Sequence, residues 1–87
     1  MNVRFKLFRL VVERIRSDAF HLGKSMAEIA RHVGLKLSTF NDMMNPDRYT
    51  GYGGRGPRPE NIRKLLDCRF WSDETRAAIE ELVAFDS

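Results

Sequence analysis

Residues 25 to 45, SMAEIARHVGLKLSTFNDMMN, constrain this chain more than any other stretch. Ser25 followed three residues later by Glu28 forms a capping box. A hydroxyl and a carboxylate each satisfy a backbone N–H at a helix start, so the spacing predicts a helix from Met26. Met26, Ile29, Ala30 and Val33 recur at steps of three and four and therefore share one face. Gly34 marks the end of that helix, because glycine enters the left-handed conformation at least cost. A second amphipathic segment runs from about Ser38, with Phe40, Met43 and Met44 inward and Ser38, Asn41, Asp42 and Asn45 outward. Two short helices joined by a tight glycine-containing turn make a helix-turn-helix at about 26–45.

Upstream, residues 3 to about 19 contain no glycine or proline and predict a long first helix. Val3, Leu7, Leu10, Val11 and Ile15 make one apolar stripe, and Phe5, Phe8 and Val12 extend it to roughly 200° of the circumference, wider than one core contact needs. The surplus face, Phe5, Phe8 and Val12, calls for a second partner. Either the C-terminal helix of the same chain or a twofold-related subunit would cover it. Arg9 and Glu13, on the far side, read as an ordinary solvated pair.

Residues 46–58, PDRYTGYGGRGPR, hold four glycines and two prolines, a density that opposes both helix and central strand. The expectation is a long loop. Arg48, Arg55 and Arg58 interleave there with Tyr49 and Tyr52, a set of donors on a flexible chain that suits a phosphate backbone. A solvated loop and a short hairpin wing around Tyr52 to Gly54 are the other two readings. Pro59 and Glu60 then open a short helix over PENIRKLLDC with Ile62, Leu65 and Leu66 inward. Phe70 and Trp71 read as core anchors in a turn. Ser72, Asp73 and Glu74 start a last helix with Ala78, Ile79, Leu82, Val83 and Phe85 on its inner side.

Charge is unevenly distributed along the 87 residues. Residues 72–87 carry a balance of −4, which leaves +7 on residues 1–71 of a chain whose total is +3. The basic part suits a nucleic-acid surface, and the acidic outer face of the last helix would be repelled by one, so that helix is a candidate site for a protein partner. One cysteine, Cys68, rules out an internal disulfide and any multi-cysteine metal centre and reads as a plain thiol. No apolar run approaches the ~18 residues of a membrane span, and the first ten residues do not form a signal-peptide core, so a cytoplasmic location without membrane contact is expected. His21 and His32 stand eleven apart with no ligands spaced to join them, which predicts neither metal nor cofactor. His21 reads as solvated, and so does His32, with Arg31 and His32 as weaker phosphate candidates.

At residues 25–45 and 59–67 the chain resembles the lambda-repressor-like DNA-binding domains, the Cro-like or XRE family of phage and bacterial regulators. The carriers are Ile29-Ala30, Val33-Gly34-Leu35, Ser38-Thr39-Phe40 and Asn45, followed by Pro59-Glu60-Asn61. The resemblance implies an all-α fold, a compact single domain of four or five helices over 1–87, with a small residue at Ala30 where the two helices cross. It also places Lys36, Leu37, Ser38, Asn41 and Asp42 at the groove-facing end of the second helix. Their chemistry agrees: lysine donates to guanine, asparagine pairs with adenine, and leucine meets a thymine methyl. Asp42 either accepts from a cytosine amino group or faces solvent. Backbone contacts would come from Lys24, Ser25, Met26, Thr39, Asn45, Arg48, Tyr49, Arg55 and Arg58, the first helix start offering free N–H groups. The loop after the second helix is longer and richer in glycine and arginine than in the family, and the first helix is longer and more aromatic.

The resulting expectation is a sequence-specific, double-stranded DNA-binding transcriptional regulator, a repressor of phage or bacterial type, acting as a homodimer on an inverted repeat. The competing expectation is a helical protein-interaction module, antitoxin- or antirepressor-like, using the acidic last helix and the aromatic face of the first. No catalytic constellation is legible, so no enzyme is expected, and the loop TGYGGRGPRP lacks the lysine-serine ending of a nucleotide-binding loop.

Overall fold

The computed structural model describes residues 3–52 and 56–87, the side chains of 50–52 excepted. Five α-helices follow one another: α1 (Val3–Leu22), α2 (Met26–Val33), α3 (Leu37–Met43), α4 (Pro59–Leu65) and α5 (Asp73–Phe85), with a 3₁₀ segment (Pro46–Tyr52) between α3 and α4. No strand occurs among the described residues. None of these helices is long and apolar enough to cross a membrane.

α1 runs three residues past the expected end, because the stop signal is Gly23. At φ +65° it closes a Schellman turn in which the Gly23 N–H donates to the Phe20 carbonyl and the Lys24 N–H to that of Ala19. α1 and α5 lie antiparallel, linked by Arg4 to Asp86 at one end, Arg14 to Glu74 further along and Asp18 to the Ser72 N–H at the other. Phe5, Phe8, Val11, Val12, Ile15 and Ala19 are buried along α1. The face expected to seek a second partner is therefore covered by this chain itself, with Phe8 edge-on to Tyr49 of the 3₁₀ segment at 5.6 Å. Val3 and Leu10, expected on the stripe, are exposed instead, so the buried arc is rotated toward Phe8 and Val12.

The α2–α3 unit follows its sequence signals closely. Ser25 accepts from the Glu28 N–H at 3.2 Å and its own N–H donates to the Glu28 carboxylate at 3.3 Å, the complete capping box. Gly34 caps α2 at φ +75°, with the N–H of Leu35 donating to Ala30 and Leu35 half-buried on the core, the apolar contact that accompanies such a cap. Ile29, Ala30, Val33, Phe40 and Met43 are buried between and beneath the two helices.

Residues 46–52 depart from the expected loop by winding into 3₁₀ turns. The glycines lie at 51 and beyond, whereas Pro46 presets a helical φ and the Arg48 N–H closes the first turn on the Asn45 carbonyl. The proposed wing falls partly on residues 53–55, outside the described residues. α4 stops at Leu65, three residues early, because Leu66, Asp67 and Cys68 bond back three residues rather than four. Trp71 is buried and its indole N–H donates to the Leu65 carbonyl at 2.7 Å. On α5, Thr75, Ala78, Ile79 and Leu82 face inward and Asp86 continues that line, which turns Phe85, expected inside, to the surface at 50% exposure.

Candidate nucleic-acid interface

α3 presents one wet face and one dry face. At about 100° per residue, Ser38, Asn41 and Asp42 fall together opposite Phe40 and Met43. The first three are exposed and the last two completely buried. Leu37, the first residue of the helix, is 45% exposed, unusual for leucine, and Lys36 before it adopts the extended N-cap conformation with its side chain in solvent. Thr39 is half-buried on the flank, and Asn45 is exposed just beyond the C-cap, Met44.

α3 is fixed by its neighbours. Its inner side chains pack into the core, and the Arg16 guanidinium reaches across from α1 to donate to the Met44 carbonyl at the helix end. That bond satisfies one of the carbonyls a helix leaves open and brings positive charge to the negative end of the peptide dipoles. Arg16 was not singled out from the sequence. Its signal is its position four residues after buried Val12, at the edge of the α1 stripe.

The start of α2 offers less to a phosphate than expected. The Ser25 hydroxyl and N–H are both engaged with Glu28, so the open donors of the first turn reduce to Met26 and its neighbour Ala27. The N–H of Ser25 holds the Glu28 carboxyl below the usual carboxylate range, which keeps a negative charge at this end. Lys24 stands between two partners, its ammonium 4.0 Å from Glu28 and 5.2 Å above the Phe70 ring. Phe70 also meets His32 and Trp71 edge-on, so one aromatic platform ties the outer side of α2 to the α4–α5 link. Arg31 and His32 are exposed beside it and share a shallow hollow with Glu28.

After α3, Arg48 turns back onto the outward face, with its Nε 3.4 Å from an Asp42 carboxylate oxygen. Tyr49, expected at a phosphate, is half-buried with its ring against Phe8. Burial raises its hydroxyl above the ordinary pKa of 10.0, and the Asp42 charge adds to the effect. Arg58 is exposed at the N-cap of α4, 3.7 Å from Glu60. Arg55 lies outside the described residues. The structure thus brings Asp42, Arg48 and Tyr49 together at one end of α3, while Lys24, Ser25 and Met26 form a separate group at the start of α2. Among the described residues, no group of three or more His, Cys, Asp or Glu side chains is placed to hold a metal ion. The chain matches no protein-family model, and neither a curated protein nor a solved structure is significantly similar to it.

Proposed function

We propose that this chain is a sequence-specific, double-stranded DNA-binding transcriptional regulator of the lambda-repressor-like kind, with α2 and α3 as its helix-turn-helix. The observation that carries the reading is the solvent-facing row Leu37, Ser38, Asn41 and Asp42, preceded by Lys36, on a short helix whose other side is buried and whose end is held by Arg16. A helix offering base-reading chemistry outward on a fixed support is what major-groove recognition requires. Lys36 and Asn41 are the strongest readers. Lys24, Met26, Thr39, Asn45, Arg48, Arg58 and Arg55 are the candidates for phosphate contact, and burial of the Tyr49 ring gives that residue a supporting place instead.

In this reading the protein acts as a homodimer on an inverted repeat whose half-site centres are about 34 Å apart or a multiple of it. Selection of bound duplexes from a random library tests it directly. The expected outcome is a palindromic consensus bound in a salt-dependent manner. Lys36→Ala and Asn41→Ala should each cost roughly 1–3 kcal/mol on that consensus and relax base preference. Equal binding of all sequences, or none, would overturn the proposal.

A protein partner on α5 is the second reading, favoured by the half-exposed Phe85 one turn after the exposed Glu81. The aromatic face of α1 does not contribute, since Phe5 and Phe8 are buried. This alternative alone predicts no salt-sensitive DNA binding in a gel-shift titration.

A further inference from the structure

A carboxylate on a face that meets a polyanion needs an explanation, and the structure supplies one in Arg48. Asp42 lies on the outward face of α3, and the Arg48 Nε lies 3.4 Å from its Oδ1, with both side chains more than half exposed. Contact through Nε occupies the inner edge of the guanidinium. The outer edge, Nη1 and Nη2, forms no hydrogen bond to another described residue and remains available as a rigid two-donor fork. The approach is set by the backbone, because the Asn45 N–H donates to the Asp42 carbonyl and the Arg48 N–H to the Asn45 carbonyl, a continuous turn from α3 into the 3₁₀ segment.

Resting on the DNA-binding reading, we infer that Asp42 is a positioning residue and not a reader: it aims Arg48 at a guanine on the major-groove edge, where Nη1 and Nη2 donate to O6 and N7. The chemistry favours a base over a phosphate. Phosphate contacts gain their strength from net positive charge and counterion release, and a guanidinium already balanced by a carboxylate releases few counterions. What the pair retains is direction, which a base edge rewards and a phosphate backbone does not. The pair also removes the electrostatic objection to Asp42, because the carboxylate enters the groove neutralised. This moves Arg48 from the backbone contacts to the readers.

The test compares the parent with Asp42→Asn, Arg48→Lys and Arg48→Ala on the selected consensus and on single-base variants of it, over a salt series. The parent should prefer guanine at one position by about tenfold or more. All three variants should lose preference at that same position, lysine failing because it cannot reproduce the fork. Asp42→Asn should bind non-cognate duplex more tightly at low salt and steepen the slope of log K against log salt by about 0.9, one freed cation. A purely structural role for Asp42 would not lose preference at one base position alone, so that loss, and not the slope, separates the two roles. Unchanged discrimination in Asp42→Asn overturns the inference, and so does loss at a base pair different from the one Arg48 controls. A parent that binds no duplex DNA overturns the DNA-binding reading itself, before any variant is compared.

Discussion

Arg4 and Asp86, 82 positions apart, meet in a two-point ion pair, with Arg4 Nε donating at 2.7 Å and Nη2 at 3.0 Å to the two carboxylate oxygens. Both side chains are about nine-tenths buried, and Nη2 also donates to the Pro57 carbonyl at 2.7 Å. One guanidinium therefore joins the start of α1, the cap of α5 and the segment entering α4. Arg4→Ala should cost about 3 kcal/mol, because it leaves a largely buried carboxylate without its partner. The double variant Arg4→Met, Asp86→Leu should lose far less than the sum of the two single changes. Urea unfolding followed by the fluorescence of Trp71, the only tryptophan, measures both.

Gly34 and Gly56 separate two costs of replacing glycine. Both have positive φ, +75° and +84°, but a Cβ on Gly34 would meet no atom within 4 Å, whereas one on Gly56 would stand 3.2 Å from a Phe8 ring carbon. Gly34→Ala should lose about 1–2 kcal/mol, the conformational penalty alone, and Gly34→Asn should lose less because asparagine tolerates this region. Gly56→Ala adds displacement of the fully buried Phe8 and should lose more than Gly34→Ala. Equal losses in thermal melts would show that Phe8 yields freely.

Arg16 links α1 to the end of α3, the helix proposed to read DNA, so under that proposal its removal should affect binding beyond its effect on folding. Arg16→Ala deletes the donor to the Met44 carbonyl and should cost about 1 kcal/mol of stability. A carbonyl at the end of a surface helix is readily rehydrated, which keeps that loss small. The orientation of α3 is less constrained without it, so affinity for a selected duplex should drop several-fold at temperatures where the variant remains folded. Parallel melts and anisotropy titrations separate the two effects.

The sequence made the α2–α3 unit legible because its signals are local: Ser25 and Glu28 close on each other, and Gly34 needs only its own φ. The outward placement of Ser38, Asn41 and Asp42 likewise follows from helical spacing alone. What it did not disclose depends on distant partners. The buried arc of α1 is decided by α5 and the 3₁₀ segment, which cover Phe5 and Phe8 and leave Val3 and Leu10 in solvent. Phe85 reads as core by type, yet Asp86 takes the inward place because Arg4 waits there. The contacts of Arg16 with Met44 and of Arg48 with Asp42 join different elements, and periodicity carries no trace of either.

Stability should fall on both sides of a neutral plateau, for reasons that named side chains separate. Burial pushes the Cys68 thiol above its ordinary 9.0 and the Tyr49 hydroxyl above 10.0, so each is neutral in the fold at a pH where the unfolded chain has begun to ionise. Their contribution is complete below those ordinary values and is lost as pH rises through the folded ones. Glu28 acts in the opposite direction. Its carboxyl is held below 4.5 by the Ser25 N–H, so its contribution is present above that value and is lost as pH falls through the lower folded pKa. Cys68→Ala and Tyr49→Phe should each flatten the decline above about pH 9 without altering the acid limb, and Glu28→Gln should flatten part of the acid limb only. Urea midpoints from pH 3 to 11 report these slopes, and a Cys68→Ala profile parallel to that of the parent above pH 9 would show that the thiol is not part of the alkaline transition.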